Sequence, residues 1–403
     1  MTNIQMSEHR NIKTSKVPNV QTSPFGLFDF LAFWHFGIWC LVAATPVVLN
    51  AQDALPLVVA QSPNHQITKS PNDASPSAPA ADIRLPPHIT PGTKDAIDRG
   101  LAYLARTQDR QGSWSNRSNF GAYPVAMTAL AGVALLMDGN TTTQGRYAPQ
   151  VDRAADFILR SVESSGLIAG GREESRPMYG HGFSVLFLSQ LYGMTSDAVR
   201  ARQIRDVLDR AVNLTGRGQS DLGGWIYTPD GNSDEGSVTI TQVQALRSCR
   251  TAGITVPKEI IDRAMKYLSD SQNSDGGIRY SLRQHGGGSR APITGAAVLC
   301  WYLAGEYTNP LAKRAMDFSK DKIKPGATFS GHDYYAHFYF SQALYVSSDP
   351  YWDEYFPKRR DYLLSQQQPE GYWMGDGVGD IYGTAVALVI LQLPFNQLPI
   401  MQR

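Results

Sequence analysis

The segment Thr93–Gly139 reads TKDAIDRGLAYLARTQDRQGSWSNRSNFGAYPVAMTALAGVALLMDG. It holds two helical patterns of different character. The first carries one apolar stripe, Ile97, Leu101 and Leu104, with charge on the remaining faces, so one side meets water. The second is apolar nearly all round, which demands burial on every side. Between them stands QDRQGSW, Gln108–Trp114. A glutamine ends the first helix. A glycine then takes a backbone conformation that other residues resist, and an aromatic follows that can plug the gap between neighbouring helices.

The same order recurs to the end of the chain. APQVDRAADFILRSVE leads to GHGFSVLFLSQLYG, and AVRARQIRDVLDRAVNL to SVTITQVQALRSCRTAG. PKEIIDRAMKYLSDSQ leads to APITGAAVLCWYLAGEY, and NPLAKRAMDFSKDKI to HDYYAHFYFSQALY. The last pair is YWDEYFPKRRDYLLSQQ and DIYGTAVALVILQLP. Registered on Met127, Ser184, Thr239, Thr294, His337 and Thr384, the apolar helices lie about 43 to 57 residues apart, a period of stacked supersecondary units. The turn device returns in QNSDGGIRY (272–280) and QQQPEGYW (366–373), and SDLGGWIY (220–227) reads as the same device without the glutamine. An open solenoid would need polar capping repeats at both ends, and the terminal pairs look like the internal ones. The reading is all-α: six buried helices inside six half-exposed ones, a closed (α/α)6 toroid over residues 93–403.

The chain begins differently. Residues 1–25 are polar, with Arg10, Lys13 and Lys16, and about two dozen mostly apolar residues follow before Ala51. Residues 1–51 read as an export signal or an N-terminal membrane anchor. Asp29 and His35 weigh against a permanent span, so cleavage is favoured, with the domain exported to the periplasm or cell envelope. If the segment is retained, residues 26–49 would tie the chain to a membrane. Residues 52–92 are rich in Pro, Ser and Ala and read as a linker. A formal net charge of +1 gives no electrostatic case for nucleic acid. Cys40, Cys249 and Cys300 form no metal or redox spacing and read as buried thiols.

Gln followed by Gly-Xaa-Trp between helix pairs resembles the repeat of squalene and hopene cyclases and of protein prenyltransferase β-subunits. The resemblance covers roughly residues 93–395 and is greatest to the bacterial prenyltransferase and squalene oxidase repeat proteins. It implies an (α/α)6 toroid with an apolar central cavity. Such a cavity would accommodate an isoprenoid-like ligand, and any enzymatic activity would be cyclase- or prenyltransferase-like. The cyclases protonate an alkene with an Asp-Xaa-Asp-Asp acid at an inner-helix start, where paired carboxyls keep one protonated. The corresponding starts here read GSVT, APIT and DIYGT, without the pair. Asp234 and Glu235 lie slightly upstream. The prenyltransferases hold zinc through Asp, Cys and His. Ala336 stands where that histidine belongs, His337 follows one residue later, and the Asp-Xaa-Cys pair has no counterpart. Neither metal nor cofactor is expected. The alternative is a non-catalytic envelope binding or scaffold protein whose rim takes peptide or protein partners. A third reading, a sugar-processing toroid, would set Asp333 and Asp380 across a cleft.

Candidate residues follow. Asp234 and Glu235 either cap a helix with Ser237 or place an acid at the cavity mouth. In GHDYYAHFYF (331–340), His332, Asp333 and His337 are candidate acids or bases and Tyr334 and Tyr339 candidate ligand contacts, or the stretch is a capped aromatic helix. Asp376 and Asp380 open the last inner helix and could pair with His332, or cap it. Tyr179, His181 and Tyr382 could meet a ligand. Thr239, Gln242, Thr294, Gln342 and Thr384 could line the cavity or bond an adjacent helix. The RQHGGGSRAP loop reads as a mobile cover and lacks the Lys-Ser/Thr of a phosphate loop.

Overall fold

Apolar periodicity and proline-marked starts fix the helices. The computed structural model describes residues 85–116, 121–170, 175–284, 286–328 and 331–403, so the expected signal or anchor and most of the expected linker lie outside the described residues. Twelve α-helices occur among them: α1 (Pro91–Thr107), α2 (Pro124–Met137), α3 (Ala148–Arg160), α4 (Pro177–Met194), α5 (Ala198–Arg217), α6 (Gly236–Thr251), α7 (Lys258–Asp270), α8 (Ala291–Leu303), α9 (Pro310–Lys322), α10 (Asp333–Val346), α11 (Trp352–Gln366) and α12 (Asp380–Gln392). Proline in the first turn of α1, α2, α4 and α9 suits a position whose amide has no helical partner. Order reaches a little further upstream than Thr93. Thr90 and Thr93 form a reciprocal cap on α1, and Ile89 is buried.

The two helix classes do what their patterns demand. In α3 the buried residues are Ala148, Val151, Ala154, Ala155 and Ile158, an i, i+3, i+4, i+7 stripe. In α2 every residue after Pro124 is buried. The even-numbered helices each pack on the next, and α12 packs on α2, so the inner ring closes. The odd-numbered helices lie outside: α1 against α12 and α2, α5 against α4 and α6, α7 against α6 and α8. The contact of α12 with α2 excludes the open solenoid.

A repeated clamp closes the outer layer. Gln108 Nε2 donates to the carbonyls of Gly112 and of Gln150 in the next outer helix, each at 2.9 Å. Gln272 does the same to Gly276 and Leu311. Gln367 does it to Gly371 and Ala96, joining the last unit to the first. Gln219 does it to Gly223 (2.8 Å) and Ile260 (2.9 Å). The third unit therefore has its glutamine at the common spacing after all, just before the SDLGGWIY segment. Each glycine is crowded by the next outer helix: a Cβ on Gly112 or Gly223 would lie 2.3 Å from the carbonyl oxygen of Arg153 or Arg263. The turn tryptophans Trp114, Trp225 and Trp373 are buried, and each donates its indole N–H to a carbonyl ten residues earlier.

The register of the inner helices also shifts from expectation. Thr239, Thr294 and Thr384 accept backbone amides of their turns, from Trp225, Ile278 and Trp373. Thr128 and His181 hold that place in the first two units, by accepting from Trp114 and Ile168, rather than Met127 and Ser184. The second and fifth units depart from the rule: neither residues 161–170 nor residues 323–332 contain Gln or Trp. The second keeps the crowded glycine, Gly166, whose Cβ would lie 2.6 Å from the Arg210 carbonyl oxygen, whereas a Cβ on Gly326 would meet nothing within 4 Å.

The axis is not an open apolar channel. Phe183 of α4 meets Phe338 of α10 edge to face, centroids 6.4 Å apart, and these two helices are opposite in the ring. Thr241 and Gln244 of α6 reach across to Tyr339 (3.2 Å) and Gln342 (2.7 Å) of α10. At the C-terminal end of the ring the chain plugs itself. Leu398, Ile400 and Met401 are buried, the 3-10 turn Pro399–Met401 packs on α6 and α10, and Ile400 N donates to Gln190 Oε1 of α4 at 3.4 Å. The apolar tail thus finds its cover within the chain.

Candidate functional site at the inner-helix mouth

What the plug and the crossing rings leave is the N-terminal mouth of the inner ring. Its floor is Phe183, Phe338 and Tyr339; the last two rings stand 4.8 Å apart. Its walls come from the first turns of three inner helices: Tyr179 of α4, Tyr335 of α10 and Tyr382 of α12, each half-buried. Tyr335 packs 4.9 Å from Tyr339, and its hydroxyl is buried without a hydrogen-bond partner. A buried hydroxyl left unpaired is costly. Burial drives the hydroxyl pKa of all three wall tyrosines well above the ordinary value, so they stay neutral donors. Two residues at this end hold left-handed backbone, Tyr123 at φ 44° and Asp376 at φ 50°, an uncommon state for non-glycine residues.

Glu235 and Asp234 part company. Glu235 caps α6: its carboxylate accepts Ser237 N (3.1 Å), Val238 N (2.8 Å) and the Ser237 hydroxyl, and lies 3.5 Å from the Tyr179 hydroxyl. The Tyr179 hydroxyl meets Ser237 Oγ at 2.5 Å. Burial raises the Glu235 pKa, and its hydrogen bonds only partly offset this. Asp234 instead accepts the Tyr267 hydroxyl (3.0 Å) and the amides of Leu282 (2.6 Å) and Arg283 (3.2 Å), which pins the loop after the fourth turn.

Beside the mouth, where the fifth unit lacks its clamp, lies a cavity of about 390 Å³ lined by Thr328, Asp333, Tyr334, Tyr362, Gln366 and Asp376, among others. Asp333 Oδ2 accepts from fully buried Arg359 at 2.7 Å, and its Oδ1 lies 3.4 Å from His337 Nε2. Burial pushes the Asp333 pKa up, but His337 and Arg359 outweigh it and hold the carboxyl below its ordinary value. His337 Nδ1 meets the Tyr355 hydroxyl at 2.5 Å, and that hydroxyl meets Ser341 Oγ at 3.0 Å. Burial and the Arg359 charge lower the His337 pKa to about 4, so its ring is neutral at pH 7. Asp376 accepts the amides of Tyr334 and Tyr335, each at 3.0 Å, and so caps α10 from another element. Burial raises its pKa.

The remaining candidates are placed elsewhere. Asp380 accepts the Tyr103 hydroxyl of α1, and neither it nor His332 lines the cavity that Asp333 and Asp376 share. His332 is exposed and its side chain makes no cap on α10. His181 accepts Ile168 N at Nδ1 and meets Thr215 Oγ1 at Nε2 (2.9 Å), behind α4, with a pKa lowered to about 4 by burial. Gln242 donates to the Met178 carbonyl at 2.8 Å. Thr239 and Thr294 serve their turns. Sequence reasoning passed over Tyr335, Arg359 and Tyr355. Among the described residues no group of three or more His, Cys, Asp or Glu could hold a metal ion, and no helix is long and apolar enough to cross a membrane.

No protein-family model and no curated protein matches the sequence. Solved structures do match in fold. The type II terpene cyclase MstE from Scytonema, with its product merosterolic acid A, is 14% identical, covering 75% of this chain and 97% of that one at a TM-score of 0.52. A protein from Actinoplanes is 15% identical, covering 74% and 98%, TM-score 0.52. A family 76 glycoside hydrolase (mannosidase) from Bacteroides thetaiotaomicron is 12% identical, covering 74% and 97%, TM-score 0.56. At these identities the likeness is one of fold, and the described domain is a terpene-cyclase-like α/α toroid.

Proposed function

We propose that this toroid holds an isoprenoid-like apolar chain in the tyrosine-walled mouth of its inner ring. One observation carries the reading. The axis is crossed by Phe183 and Phe338 and plugged by the tail, while Tyr179, Tyr335 and Tyr382 in the first turns above that floor are only half-buried. Concave, largely aromatic surface with few polar groups is what such ligands need. MstE, of the same fold, is solved with geranylgeranyl dihydroxybenzoate as substrate. That likeness of fold is analogy and supports only the ligand class.

Binding is favoured over turnover. A cyclase acid needs a second carboxyl to hold it, and Glu235 is surrounded by a serine, a tyrosine and backbone amides. Export to the cell envelope belongs to the same proposal and rests on the sequence of residues 26–51 alone. The test is native mass spectrometry of the full chain with geranylgeraniol. The wild type should retain one molecule, and Tyr179→Ala and Tyr335→Ala should lose it. No adduct on the wild type, or equal adducts on all three proteins, would sink the reading.

A further inference from the structure

We infer that the cavity between α10, α11 and the loop before α12 seats a neutral, polyhydroxylated headgroup, such as a sugar ring, on the ligand whose apolar chain lies in the mouth. The inference rests on the mouth being the ligand site, and it makes that ligand an amphiphile.

Four observations carry it. The cavity, about 390 Å³, sits at the low end of small-molecule site volumes and suits one ring better than a long chain. It shares a wall with the mouth: Asp376 lines the cavity, accepts the amides of Tyr334 on the cavity side and Tyr335 on the mouth side, and lies 3.5 Å from the Tyr382 hydroxyl. Its lining offers hydroxyls, amides and carboxylates from Thr328, Tyr334, Tyr362, Gln366, Asp333 and Asp376. Those are groups that donate to and accept from ring hydroxyls, with two phenol rings to stack on the ring's C–H face. Unsatisfied donors also lie behind it: Arg359, fully buried, has no acceptor for Nε or Nη1.

Charge decides the class of headgroup. Arg359 already neutralises Asp333, and Asp376 sits on the positive end of α10, where backbone amides satisfy it. The cavity therefore has no spare charge to draw a cation. Its lining likewise carries no Lys or Arg to hold a phosphate or carboxylate. A neutral hydroxylated ring is what remains. The location fits as well: a repeat architecture is expected to break its own rule where it does something other than stack, and the cavity opens at the one inter-helix turn whose sequence has neither the clamp glutamine nor the close-packed glycine.

Isothermal titration of the full chain can separate headgroup from chain, using octanol, octyl β-glucoside below its micelle threshold, and methyl β-glucoside. The wild type should bind octyl glucoside about tenfold more tightly than octanol, the worth of one or two net hydrogen bonds. Tyr362→Leu combined with Gln366→Leu should erase that advantage and leave octanol binding unchanged. Tyr179→Ala should weaken both ligands alike and leave methyl glucoside untouched. Near-UV circular dichroism checks that the variants fold. An octyl glucoside no tighter than octanol, or an advantage that survives the double substitution, would overturn the inference while leaving the mouth intact. If neither alkyl ligand binds, the mouth reading fails. Methyl glucoside binding that is lost in the double variant would then still support the cavity as a sugar site, and its absence would overturn both.

Discussion

Replacing Arg359 by methionine tests the buried network that shapes the cavity. Arg359 and Asp333 are both buried, 0% and 4% exposed, with 2.7 Å between Nη2 and Oδ2. Methionine keeps much of the side-chain volume and removes the cation. Removing one partner of such a pair leaves an uncompensated buried charge and costs about 3–5 kcal/mol. In a domain of this size each kcal/mol moves the melting midpoint by about 1.5 °C, so a fall of about 5–8 °C is expected at pH 7.5. The pH dependence has a definite sign. In the wild type the Asp333 pKa is held below its unfolded value. Its contribution is therefore complete above about pH 4 and is lost only as pH falls through the folded value. In the variant, burial acts without Arg359, the Asp333 pKa rises, and protonation relieves the penalty as pH drops. The gap between the two proteins should be widest at pH 7.5 and narrow by pH 5. Asp333→Asn added to Arg359→Met should recover much of the loss. Tryptophan fluorescence during thermal unfolding at both pH values is the assay. A cost under about 1 kcal/mol, or a gap indifferent to pH, would refute the reasoning.

The other expectations concern fold, acid stability and processing. Gln219→Ala removes two clamp bonds and should cost about 1–3 kcal/mol; Gly223→Ala, with φ 92° and an oxygen 2.3 Å from the new Cβ, should cost more, and urea midpoints will rank them. His181, neutral with its pKa lowered to about 4, binds fewer protons folded than unfolded between that value and about 6.5. Stability should thus fall as pH drops through that window, by up to about 1.4 kcal/mol per unit; His181→Thr, the residue of the equivalent helices, should flatten the slope. Deleting residues 398–403 uncovers the end of the ring and should cost roughly 5 kcal/mol of buried apolar side chains, read as a lower melting midpoint. Amino-terminal sequencing of the protein from cells should find a start near Gln52; an intact Met1 terminus would favour the anchor.

Helix identity was legible because it is local. Periodicity located all twelve helices within a few residues, and the all-apolar character of α2 and its equivalents told inner from outer. Closure was legible from the repeat, since the terminal pairs look like the internal ones and no polar capping repeat ends the array. The polar inner residues were not. Thr239, His181 and Gln242 bond a turn or a neighbouring helix, and a sequence does not say which buried acceptor lies within reach. Asp234 and Glu235 are adjacent in the chain yet serve different elements, because the backbone turns between them. Arg359 sits in KRRDY, which reads as a solvated outer face. Its partner Asp333 was visible as a candidate acid or a helix cap, and nothing in the sequence paired the two.

Photolabelling bears most directly on the mouth as the ligand site. A diazirine analogue of farnesol, irradiated with the full chain and mapped by peptide mass spectrometry, should mark the first turns of the inner helices: residues 177–183, 334–339 and 380–384. Competition by unlabelled geranylgeraniol should clear those sites together. Labels confined to outer helices, or to the C-terminal end of the ring around residues 398–401, would contradict the account.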